Sequence, residues 1–145
     1  VERMARPSPV IDASPVAALE DILRARAMLE HVYLDEKIIQ YILDLVIATR
    51  PGCRKELSER QAGARLDELD GLISFGASPR ASIALALASR AAALLAGRAY
   101  VLPQDVKAIA PDVLRHRIVL SYEAEAENIN ADAVITRLLA ELRTP

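Results

Sequence analysis

Apolar residues recur along this chain mostly at helical spacing. After Ser14 and Pro15, a cap and a first-turn proline, Val16, Leu19, Ile22, Leu23 and Leu29 fall along one side of a helix. Residues 32–34 break that pattern as a short extended piece. Asp35 then caps a second helix reaching about residue 49, with Ile38, Ile39, Ile42, Leu45 and Val46 as its apolar stripe, and Pro51-Gly52 ends it. "LISF" at 72–75 reads as a short strand. A third helix spans about 79–96, is closed by Gly97, and is expected to turn Ile83, Leu87, Ala91, Leu94 and Leu95 to the core. Pro103 opens a short helix, "PQDVKAIA", and Pro111 opens a further turn, "PDVLRH". "RIVLS" at 117–121 has strand character, "YEAEAENIN" is an acidic loop, and Asn130 caps a last helix through about residue 142. The expected fold is mainly α: a small bundle of four or five helices with a few short extended segments. No period of 20–50 residues repeats, which excludes a solenoid.

Two stretches fall outside this pattern. Residues 1–14, with prolines at 7 and 9, read as a linker from a domain upstream, leaving 15–145 as the helical domain. Residues 54–71, "RKELSERQAGARLDELDG", are highly charged and are expected to form a solvated loop or insertion with a short helix.

Of the 145 residues 52% are apolar, yet only 3% are aromatic and none is Trp. The core must therefore come from Ala, Leu, Ile and Val. A net charge of -2 counts against bulk nucleic-acid binding. One cysteine, Cys53, cannot make an intrachain disulfide, so nothing calls for an oxidising compartment, and a cytoplasmic location is expected. No apolar run reaches the ~20 residues of a membrane span.

Several kinds of chemistry are missing. No GxxxxGK[ST] or GxGxxG loop occurs, and His31, His116 and Cys53 lack metal-ligand spacing. Glu123, Glu125 and Glu127 could bind a cation or simply form an exposed acidic face. By itself this chain does not have the marks of a catalyst.

One local feature runs against expectation. In "SFGASPRAS" the residues Gly76, Ala77, Ser78 and Pro79 set up a tight helix start, and Arg80 sits in its first turn. A cation there opposes the helix macrodipole, whose N-terminal end is already positive. The position makes sense if a negative ligand comes close, since a guanidinium can hold two phosphate oxygens at once. The alternatives are a solvent-exposed arginine or one bonded to a nearby carboxylate.

"GASPRAS" with its Ala-rich helix, followed by "GRAYVLPQDVKAIAPDVLRHRIVLSYEAEAENINADAVITRLL", resembles the C-terminal lid domain of MoxR-type AAA+ ATPases. The likeness is close over about 74–139 and looser over "LEHVYLDEKIIQYILDLVIATR". It implies that Arg80 is the sensor-2 residue, which points at the γ-phosphate, with Gly76, Ser78 and Pro79 as the backbone and cap that aim it. It further implies ATP and Mg2+ in the parent protein, and a nucleotide-binding core domain and neighbouring ring subunits as partners. The work implied is chaperone-like action on a client protein. The parent chain is expected to hydrolyse ATP and this segment alone is not, since it has no phosphate loop.

Two departures from that family pattern stand out. The 54–71 segment is longer and more charged than a plain connection, and Leu102 stands before Pro103 where the family commonly has a threonine cap, whose loss costs ~1 kcal/mol. Arg115, His116 and Arg117 in "LRHR" are either a surface cluster or an intersubunit contact. Two rival readings remain: a stand-alone helical protein-interaction module, and a DNA-binding domain built on a helix-turn-helix rhythm in "YVLPQDVKAIAPDVLRHR". The acidic balance of the chain opposes the second.

Overall fold

A computed structural model describes residues 14–145, so the expected linker, Ser14 apart, lies outside the described residues. The first helix, α1 (Leu19–Met28), begins four residues beyond the Ser14-Pro15 signal. Asp21 holds its start, its carboxylate accepting the Ala18 N–H at 2.9 Å. None of its residues is buried: Leu19, Ile22 and Leu23 stay more than half exposed. Of the expected apolar side, Leu19, Ile22 and Leu23 lie on this helix, whereas Val16 precedes it at 98% exposure and Leu29 falls just beyond its end. A 3-10 turn (Leu29–His31) leads to Tyr33, which makes a parallel bridge with Tyr100.

Helix α2 (Glu36–Ala48) starts where Asp35 predicts, with the Asp35 carboxylate accepting the Lys37 N–H. Ile38, Ile42, Leu45 and Val46 are buried as expected, whereas Ile39 is 42% exposed and Tyr41 and Asp44 are buried instead. The 54–71 stretch contains three 3-10 turns, Arg54–Glu56, Glu59–Gln61 and Asp67–Leu69. It is less solvated than its composition suggests, because Gln61, Leu66 and Leu69 are buried. Polar side chains fasten it. The Asp44 carboxylate accepts hydrogen bonds from Gln40, from the Ser58 N–H and hydroxyl, and from Gln61. Arg54 donates to the Ala48 and Leu66 carbonyls and to Asp70.

Strand β1 (Ile73–Phe75) pairs antiparallel with β2 (Val119–Leu120), Ile73 opposite Leu120 and Phe75 opposite Val119, with an irregularity between. Helix α3 (Arg80–Leu95) turns a different face inward from the one expected. Its buried residues are Ala81, Leu85, Ser89 and Ala93, while Ile83, Leu87 and Leu95 are 63%, 52% and 89% exposed, and Ala91 and Leu94 are half-buried. Small residues let a neighbouring helix come close, so side-chain size was a poor guide to the inner face. Gly97, at φ +72°, closes the helix: its N–H donates to the Leu94 carbonyl and that of Arg98 to Ala93, the paired bonds of a Schellman cap.

Helix α4 (Pro103–Leu114) is continuous, with Pro111 inside it rather than opening a second turn. Pro111 forgoes one helical hydrogen bond, but surrounding packing carries the helix through, Val106, Ala110 and Leu114 being buried. That continuity removes the helix-turn-helix rhythm. The uncapped Leu102 is compensated from inside: Asp105 accepts its N–H at 2.8 Å and is gripped by both Arg98 nitrogens at 2.8 and 2.6 Å. The expected acidic loop is in part a short helix, α5 (Tyr122–Ala126), because the Ser121 hydroxyl accepts the Ala124 N–H and donates to the Gly71 carbonyl. Helix α6 (Ala131–Glu141) is capped by Asn130, as its sequence indicates. Leu45, Leu85, Val106, Leu114, Ile135 and Leu138 form the centre of the core. No described helix is long and apolar enough to cross a membrane.

Candidate functional site

The turn before α3 is built against the end of α2. Thr49, fully buried, donates its hydroxyl to the Val46 carbonyl at 2.7 Å and accepts the Ala77 N–H at 2.9 Å. Gly76 is there because nothing larger fits: a Cβ would lie 2.3 Å from the Thr49 carbonyl oxygen and 2.7 Å from Arg50 Cγ. Pro79 already has helical dihedrals at the cap position. The Ser78 carbonyl, rather than its hydroxyl, accepts the Ala81 N–H. These contacts hold the turn that precedes Arg80 against the end of α2.

Arg80 itself is exposed and makes no ion pair with any described residue. The first turns of α1, α2, α4, α5 and α6 all contain an acid, and that of α3 contains none. The N–H groups of Ala81 and Ser82 already donate to the Ser78 and Pro79 carbonyls. The turn therefore offers an anion chiefly the guanidinium, not a nest of free amides. Ile83, three residues on from Arg80, lines an apolar groove of about 220 Å³ between α2 and α3 together with Ile39 and Leu43, and Leu87, a turn further along α3, is also exposed. An exposed cation one helical turn from uncovered apolar side chains can bind an anion and dock another surface beside it.

The matching lid family is described as "AAA lid domain" and covers residues 70–138, a span that includes this turn. The chain is 37% identical over 133 residues to Chaperone MoxR1 of Mycobacterium tuberculosis, covering 92% of this chain and 33% of that protein. It is 39% identical over 110 residues to Protein MoxR of Paracoccus denitrificans, covering 73% of this chain and 30% of that one. A crystal structure of a candidate ATPase from Cytophaga hutchinsonii superposes with a TM-score of 0.75 at 37% identity, covering 87% of this chain and 36% of that one. This chain carries an AAA lid domain and is similar over most of its length to MoxR proteins. It spans about a third of the length of the relatives it matches.

Elsewhere on the lid, the "LRHR" residues are not one basic patch. Arg115 bridges Asp112 on α4, at 3.0 Å, and Asp132 on α6, at 2.9 Å. The hydrogen bond to Asp132 is the main reason its basicity rises. Arg117 points a nitrogen at His116 Nε2, 2.8 Å away. Glu123, Glu125 and Glu127 are exposed, and no three potential ligands among the described residues converge on a metal position. Sequence reasoning missed the Arg98–Asp105 pair, where hydrogen bonds from Arg98 hold the Asp105 carboxyl below the usual carboxylate range. A helix start three residues before Asp105 pointed to a capping role for it; nothing local pointed to Arg98. It also missed Thr49, whose partner is 28 residues away.

Proposed function

We propose that this lid reports the state of an ATP bound by a nucleotide-binding domain of the same protein, with Arg80 as the sensor-2 residue reaching the γ-phosphate. The observation that carries this reading is the unpaired cation at the start of α3, on a turn that Thr49 and Gly76 fix in place. A guanidinium in that position is disfavoured by the helix dipole until an anion arrives, and a triphosphate supplies one. The residues here fit a phosphate and not a magnesium ion, since no carboxylate stands in the first turn of α3. We assign Mg2+ to the nucleotide-binding domain. The exposed Ile83, Leu87, Ile39 and Leu43 suit a lid that packs against a larger partner surface.

In this reading ATP draws Arg80 inward and closes the lid, and loss of the γ-phosphate releases it. The resulting rocking is handed to neighbouring subunits of a ring and from there to a client protein. Such a machine has a chaperone-like role in assembling or maturing protein complexes. His116 and Arg117 are candidates for the intersubunit contact, whereas Arg115 is already engaged within the lid. The test is ATP hydrolysis by the full-length protein and its Arg80→Ala variant. Turnover is expected to fall about tenfold or more, as for loss of a charge-assisted hydrogen bond. Equal rates in two folded proteins would overturn the assignment.

A further inference from the structure

We infer that Thr49, at the end of α2, is a positioning residue for Arg80: its buried hydroxyl sets the register of the turn from which the arginine projects. The inference rests on the sensor reading of Arg80 and adds to it a residue that touches neither nucleotide nor the arginine.

The geometry is specific. Thr49 Oγ1 is used twice, donating to Val46 and accepting from Ala77, three residues before Arg80. Both Thr49 and Ala77 are fully buried, so no water can replace the hydroxyl as acceptor of the Ala77 N–H. The Gly76 backbone lies against the Thr49 carbonyl too closely for any side chain, so the two segments meet backbone to backbone. Removing the hydroxyl orphans a buried amide, and the turn must shift to satisfy it. A displacement near 1 Å in a group that contacts a reacting phosphate can lower a rate by roughly 100-fold. Arg54 also hydrogen-bonds the α2 terminus, at the Ala48 carbonyl, so the 54–71 segment buttresses the same corner.

The experiment compares Thr49→Val, which keeps the shape and deletes the hydroxyl, with Thr49→Ser, which keeps the hydroxyl. Each is made in the full-length protein alone and together with Arg80→Ala, and kcat and KM for ATP are measured. Thr49→Val is expected to lower kcat about ten- to a hundredfold, Thr49→Ser to restore most of it, and Thr49→Val to cause no further loss once Arg80 is gone. Undiminished turnover in Thr49→Val, failure of serine to rescue, or an equal loss with and without Arg80 overturns the inference while leaving the sensor reading intact. An Arg80→Ala protein with undiminished turnover overturns both. Hydrogen exchange of the unmodified protein gives a check independent of how the variants fold. The Ala77 amide should exchange as slowly as the core amides of α2, and exchange as fast as an exposed loop contradicts the inference.

Discussion

Single side chains in this domain show how little hydrophobicity alone says about their roles. Tyr41 is buried in α2 with a hydroxyl that has no hydrogen-bond partner among the described residues, and burial pushes its pKa up to about 12. Because the folded state holds this proton more tightly than the unfolded chain, stability is intact below pH 10. It should decline by roughly 2–3 kcal/mol between pH 10 and 12. Tyr41→Phe removes an orphaned polar atom and should leave the melting temperature at neutral pH unchanged or higher. The alkaline decline should shrink with it, which a series of thermal melts across that range checks. Asp105 behaves in the opposite sense. Arg98 depresses its pKa, so the stability it supplies is present above the ordinary carboxylate range and is lost as pH falls through and below about 4. Melts between pH 7 and 2.5 should show Asp105→Asn less stable at neutral pH and flatter in acid than the unmodified domain.

At the scale of elements, caps were the most legible feature because they are local. Asp35 and Asn130 stand where α2 and α6 begin, each accepting the N–H two or three residues on. Gly97 closes α3 for a reason equally visible in sequence: its φ of +72° suits glycine, and open space surrounds the position a Cβ would take. Gly97→Ala is therefore expected to cost about 1 kcal/mol from the backbone alone, measurable by urea unfolding. What sequence could not reveal were contacts between distant segments. The inner face of α3 was misread because nearly every position there is apolar, and packing chose the small residues. The 54–71 segment looked solvated because its fastenings are polar: Asp44 reaches 14 residues to Ser58 and 17 to Gln61. The same limit hid Thr49. The oddity of Arg80 was plain in the chain, and the support beneath it was not.

For the molecule as a whole, the exposed apolar residues are as informative as the buried ones. Leu19, Ile22 and Leu23 on α1, and Ile83 and Leu87 on α3, stay uncovered in the described residues, as expected for a domain that works against other surfaces. That fits a chain matching about a third of its relatives' length. The central claim is that Arg80 reads the γ-phosphate, and nucleotide discrimination tests it more directly than turnover does. Calorimetry on the full-length protein would give affinities for ADP and for a non-hydrolysable ATP analogue, with and without Arg80→Ala. A charge-assisted hydrogen bond contributes about 1.5–3 kcal/mol, so the variant should bind the triphosphate roughly 10- to 100-fold more weakly and ADP almost as before. Unchanged affinity for both nucleotides, or an equal loss for both, would contradict the account.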